Sequence, residues 1–171
     1  MNIVLHEPEI PQNTGNIART CACTGTVLHL IEPLGFSIDE KHVRRAGLDY
    51  WSDVEIHTYP DFETFLQKNP GIRLYLATTK AARRYTDVVY QPDDFIMFGK
   101  ETAGIPEPIL KAHQEGCIRI PMLEHFRSLN LSNSVAIVLY EALRQNGFAG
   151  LSSVGSLTGR KEQDAPWLDY I

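Results

Sequence analysis

Cysteine is scarce in this 171-residue chain, with only Cys21, Cys23 and Cys117. An odd number without paired spacing supplies neither a disulfide framework nor a zinc centre, so reduced, partly buried thiols are expected. The histidines His6, His29, His42, His57, His113 and His125 show no i, i+4 pairing, and no metal is expected. Long hydrophobic runs are missing as well. No apolar stretch approaches the roughly 20 residues that a membrane-spanning helix needs. The N-terminal Ile3–Leu5 run ends in His6-Glu7, too short for a signal-peptide core. The expectation is a soluble, cytoplasmic protein without a membrane partner. Positive charge is in deficit, since 16 Lys and Arg against 21 Asp and Glu leave a formal charge of -5. A polyanionic partner must then be met by local basic clusters, of which Arg44-Arg45, Lys80 with Arg83-Arg84, and Arg127 are candidates. A glycine-rich phosphate turn is also lacking after the first apolar run, where His6-Glu-Pro-Glu-Ile-Pro11 stands instead. That argues against generic dinucleotide binding by a doubly wound domain.

What remains is ordinary globular composition, 43% hydrophobic and 22% charged, enough for one compact unit with a sizeable core. Short apolar runs recur at Asn2–Leu5, Val27–Ile31, Val54–Tyr59, Ile72–Ala77, Phe95–Phe98 and Cys117–Ile120. Helix-like stretches lie between most of them, at Asn13–Cys23, Asp39–Ala46, Asp61–Lys68 and Glu107–Ala112, with Pro60 and Pro106 suited to first-turn positions. Alternation of this kind predicts an α/β fold, a parallel sheet with helices on both faces. Composition changes after Phe148. Residues 1–150 read as the domain and 151–171 as a flexible C-terminal tail, ending in an apolar cluster of Trp167, Leu168, Tyr170 and Ile171.

The tract Ile120-Pro-Met-Leu-Glu-His-Phe-Arg-Ser-Leu-Asn-Leu-Ser-Asn-Ser134 sets a polar loop against the start of a buried helix, Val135 to Leu143. Helix-start N–H groups lack internal partners and can receive an oxygen-rich ligand. Two more polar loops follow apolar strands, Pro11-Gln-Asn-Thr-Gly-Asn-Ile-Ala-Arg19 and Phe98-Gly-Lys-Glu-Thr-Ala-Gly-Ile-Pro106. In parallel sheets ligands sit at such carboxyl ends. On the first helix Asn16 and Arg19 share a face, and Asn13 stands at its start in position to cap.

In order and spacing the three tracts resemble the motifs of the SPOUT class of RNA 2'-O-methyltransferases. Within that class, residues 1 to about 150 look most like the short TrmL (YibK) type, which methylates the ribose at the tRNA wobble position. The resemblance implies a SPOUT α/β knot with a C-terminal trefoil knot, a homodimer, S-adenosylmethionine as cofactor and the tRNA anticodon arm as partner. It assigns the donor to Ala77, Gly99, Ile120 and Ser128 first, with Thr78, Met122, Leu129 and Asn130 beside them. Gly99 and Gly104 permit close backbone approach to a ligand, and Ile120, Met122 and Leu129 offer an apolar seat. Arg19 is matched to the arginine that contacts RNA near the reacting ribose, with Asn13 and Glu101 as further catalytic candidates. Arg44, Arg45, Arg83, Arg84 and Tyr140 are the RNA-binding candidates. Lys100 and Ala103 depart from the second motif of close relatives, which carries proline and arginine there. The implied activity is methyl transfer to the 2'-oxygen of cytidine or uridine 34. Alternatives are another tRNA position or ribosomal RNA as target, or a non-catalytic RNA-binding protein of the same fold.

Overall fold

The apolar runs become six strands in a computed structural model of the chain, which describes residues 1–37, 53–152 and 154. They are β1 (Asn2–His6), β2 (Val27–Ile31), β3 (Ile56–Tyr59), β4 (Leu74–Ala77), β5 (Phe95–Phe98) and β6 (Cys117–Ile118). All pair in parallel, in the order β3-β2-β1-β5-β4-β6. The direction of winding therefore reverses between β1 and β5. In open parallel sheets that reversal opens a crevice at the carboxyl ends of the strands.

Helices α1 (Pro11–Thr24) and α4 (Leu131–Gln145) pack together on one face of the sheet, while α2 (Phe62–Lys68) and α3 (Glu107–Ala112) cover the other. Ile17, Ala18 and Cys21 of α1 and Val135, Val138, Leu139 and Ala142 of α4 are buried against Ile3, Leu5, Leu28, Leu30, Ile96 and Ile118. Phe62, Phe65 and Leu110 close on Val4, Ile31, Leu76 and Met97. A sheet covered twice explains why its strands show no alternation of polar and apolar residues. Among the described residues no helix is long and apolar enough to cross a membrane.

Element ends differ from expectation for identifiable reasons. β3 and β4 each begin two residues late, at Ile56 and Leu74, although Val54 and Ile72 still pack on the core. Burial needs only contact, whereas ladder hydrogen bonds need a partner strand. β6 stops at Ile118, which frees Ile120 for the functional site. Pro60 and Pro106 do not occupy first turns: Asp61 caps α2 by accepting from the Thr64 amide, and Pro106 is itself the cap of α3. Asn13 is not a cap either. α1 begins at Pro11, because proline has no N–H to leave unsatisfied in the first turn, and Asn13 thus falls inside the helix. The helix expected at Asp39–Ala46, Arg44, Arg45, and the tail with Trp167 lie outside the described residues.

Cys21 lies wholly inside, where burial pushes its thiol up to about 12 and makes it inert. His29 is a buried titratable group on β2. Its Nδ1 meets the Tyr59 hydroxyl at 2.9 Å and its Nε2 meets Asn2 Oδ1 at 3.2 Å. Burial first, and then neighbouring His57, lower its pKa from 6.5 to about 4. The unfolded chain takes up this proton near pH 6.5 and the folded chain only near pH 4, so stability present above 6.5 is lost as pH falls through that window. Between pH 7 and 5 the His29 contribution is expected to cost about 2 kcal/mol. Urea denaturation at both pH values should show a smaller loss for His29→Phe than for the parent chain.

Candidate active site

Three loops converge at the carboxyl ends of β1, β5 and β6, and one chain of hydrogen bonds joins them. The Glu101 carboxylate accepts from the Glu9 amide at 2.9 Å, the Ile10 amide at 3.3 Å and the Asn13 side-chain amide at 2.9 Å. It therefore satisfies the N-terminus of α1, whose cap residue Ile10 offers no side-chain acceptor. Asn13 in turn accepts from Asn130 Nδ2 at 2.9 Å, and Asn130 Oδ1 caps α4 by accepting from the Ser132 and Asn133 amides at 2.9 and 3.3 Å. These α4 amides are already occupied by the protein. They are not the ligand-binding donors expected from the sequence.

The loop after β1 also grips the loop after β5. Glu9 accepts from the Thr102 amide at 3.2 Å and from its hydroxyl at 2.8 Å, and Lys100 Nζ meets Glu7 Oε2 at 2.6 Å. Glu7 and Glu9 were missed in the sequence as site residues. Their signal was an acidic pair behind a strand, set opposite a lysine and a threonine nearly a hundred residues away. Within the second loop, Gly104 turns back with φ +70° and its amide donates to the Lys100 carbonyl at 2.9 Å. Gly99 lies under that return: a Cβ there would stand 2.0 Å from the Gly104 carbonyl carbon and 2.1 Å from the Ile105 nitrogen. Its glycine is thus required by the loop's own backbone.

The loops enclose a cavity of about 630 Å³, a size suited to a small-molecule ligand. Ala77, Thr78, Gly99, Ile120, Met122, Ser128, Leu129 and Asn130 all line it, so the structure brings the eight proposed donor residues together. Asn13 and Glu101 line it too, as do Ile10, Lys100, Thr102, Arg127 and Ser134, which were not assigned to the donor. Arg19 is outside this set, exposed on α1 three residues past Asn16. Arg83 and Arg84 lie at the far edge of the sheet, near Glu115 and Asp87 respectively, and Tyr140 is 47% exposed on α4.

The fold is that of a methyltransferase family: the chain belongs to the SpoU rRNA Methylase family, whose pattern matches residues 1–140. Among its relatives is the tRNA (cytidine(34)-2'-O)-methyltransferase of Escherichia coli (strain K12), 52% identical over 151 residues, covering 88% of this chain and 96% of that protein. A solved structure that gives structural insights into the 2-OH methylation of C/U34 on tRNA is 40% identical, with a TM-score of 0.80 over 85% of this chain and 95% of its own. The AdoMet-bound rRNA methyltransferase of Sinorhizobium meliloti superposes with a TM-score of 0.72 at 25% identity, over 84% of this chain and 55% of the longer one.

Proposed function

We propose that this chain is an enzyme that transfers a methyl group from S-adenosylmethionine to the ribose 2'-oxygen of nucleotide 34, cytidine or uridine, in the tRNA anticodon arm. The observation that carries the reading is the convergence of all three motif loops on one cavity in a chain 52% identical to a wobble-position enzyme. The cavity fits the donor in size and chemistry. Ile120, Met122 and Leu129 supply apolar surface for an adenine, and Thr78, Ser128 and Ser134 supply hydroxyls for a ribose and an amino-acid moiety. When bound, S-adenosylmethionine provides an activated methyl group and so removes the need for a strong acid or base in the protein.

The residues then have a positioning task. Glu101, Asn13 and Asn130 are spent on one another and on two helix starts, so they hold the donor loops rigid and are not the proton acceptors. Arg19 binds the phosphate beside the reacting ribose through its forked guanidinium and orients the hydroxyl. A guanidinium offers only donors and no acceptor, so the proton passes to the adjacent phosphate. We assign RNA contacts to Arg83, Arg84 and Tyr140, together with Arg44 and Arg45.

The same reading includes a homodimer and the C-terminal knot. Supporting the dimer are exposed large apolar side chains, Ile10 before α1 and Leu129 before α4 at the cavity, and Ile137 and Tyr140 further along α4. Both substrates are soluble, and we place the reaction in the cytoplasm.

Incubating the purified protein with labelled S-adenosylmethionine and tRNA lacking ribose methylation, followed by mass-spectrometric mapping, tests the assignment. The methyl group is expected at the ribose of nucleotide 34. Methylation of another tRNA position or only of ribosomal RNA would reassign the target, and no transfer to any RNA would leave a binding protein.

A further inference from the structure

We propose that Arg119 and Arg84 form a phosphate-binding pair at the edge of the sheet, along which the RNA backbone runs toward the donor cavity. The inference rests on the RNA-methylating reading above and names a contact surface for it. Beyond β6 the chain adds a short extra pairing: the Arg119 amide donates to the Arg83 carbonyl at 2.9 Å, and the Tyr85 amide donates to the Arg119 carbonyl at 2.9 Å. Arg84 and Arg119 are direct partners in that parallel bridge. Partner residues project to the same side of a sheet, with their Cβ atoms about 5 Å apart.

Two arginine side chains therefore leave the sheet edge from adjacent positions, within reach of one anion placed between them. Asp87 answers one arginine. Arg84 Nε lies 3.1 and 2.9 Å from its two oxygens, whereas Arg119 makes no side-chain hydrogen bond or ion pair among the described residues. A phosphate bridging the pair would supply the missing acceptors in the planar geometry that arginine favours.

The surroundings extend the same sign of charge. Arg83 and Lys111 line two adjoining hollows beside α3, and one of these shares Thr78 and Lys80 with the donor cavity. Lys80, Arg83, Arg84, Lys111 and Arg119 are five of the chain's 16 cationic side chains, against Glu107, Glu115 and Asp87 from its 21 acids. In an acidic protein such a local excess is the footprint of a polyanion. Continuity with the donor site favours RNA over an acidic protein, because the hollow lined by Arg83 and Lys111 runs into the cavity at Thr78 and Lys80.

The test measures binding of tRNA lacking ribose methylation to the full chain by fluorescence anisotropy across a salt series, with donor binding by calorimetry and methyl transfer in parallel. Arg119→Gln is expected to weaken tRNA binding by about tenfold at moderate salt and to lower the slope of log affinity against log salt by about one, with donor binding unchanged. Arg119→Lys guards against loss of folding: it should keep the parent slope and still bind more weakly, lacking the fork. Parent-like affinity and slope in Arg119→Gln, or parent-like affinity in Arg119→Lys should the glutamine variant not fold, would overturn the proposal. A parent chain that methylates no RNA would instead sink the reading beneath it.

Discussion

Arg19→Ala is expected to lower methyl transfer to tRNA at least about 100-fold, the scale on which loss of one oriented charged donor acts, while donor affinity stays within about twofold. The separation follows from geometry. Arg19 is exposed on α1 and stands outside the residues that line the cavity, so its loss leaves the lining of the proposed donor site unchanged. Its helix is anchored at the site end by Glu101, which accepts from the Glu9 and Ile10 amides, and an exposed substitution further along should leave that anchor intact. Arg19→Lys should recover little, since a point charge cannot reproduce a planar two-bond contact with phosphate. Single-turnover transfer with excess enzyme, measured beside calorimetric donor binding, checks both halves. Transfer at the parent rate by Arg19→Ala would remove the role assigned to it.

Gly99→Ala, the addition of one carbon, is expected to weaken donor binding strongly and to destabilise the fold by more than the roughly 1–3 kcal/mol typical of overpacking. The new Cβ would fall 2.0 Å from the carbonyl carbon of Gly104 and 2.1 Å from the Ile105 nitrogen, and backbone cannot swing aside as a flexible side chain can. Relief requires the 99–104 return to open. That movement would pull Glu101 from α1, Thr102 from Glu9 and Lys100 from Glu7 together. Donor affinity should fall by more than about 100-fold, equivalent to about 3 kcal/mol. Calorimetry with S-adenosylmethionine and thermal unfolding give the two readouts. Parent-like binding in a folded Gly99→Ala chain would mean that the loop is not the rigid wall described here.

The sequence by itself determined the α/β class, because unbroken apolar runs such as Phe95–Phe98, alternating with helical stretches, are the pattern of a parallel sheet covered on both faces. It also singled out eight candidate donor residues, through three loops whose order and composition carry a family pattern, and all eight line one cavity. Local signals failed wherever a partner lay far along the chain. Asn13 read as a cap, yet its amide is taken by Glu101, 88 positions away, and Asn130, 117 positions away, while Pro11 starts the helix. Gly99 lines the cavity as expected, yet its lack of a side chain is also demanded by the return of its own loop at Gly104 and Ile105, which composition does not reveal. The pairing of Arg84 with Arg119 has no trace in local spacing at all. Periodicity and loop chemistry are properties of neighbouring residues and survive in one dimension. Which carboxylate meets which amide, and which arginines become neighbours at the sheet edge, depends on the strand order β3-β2-β1-β5-β4-β6, and only the tertiary structure decides that.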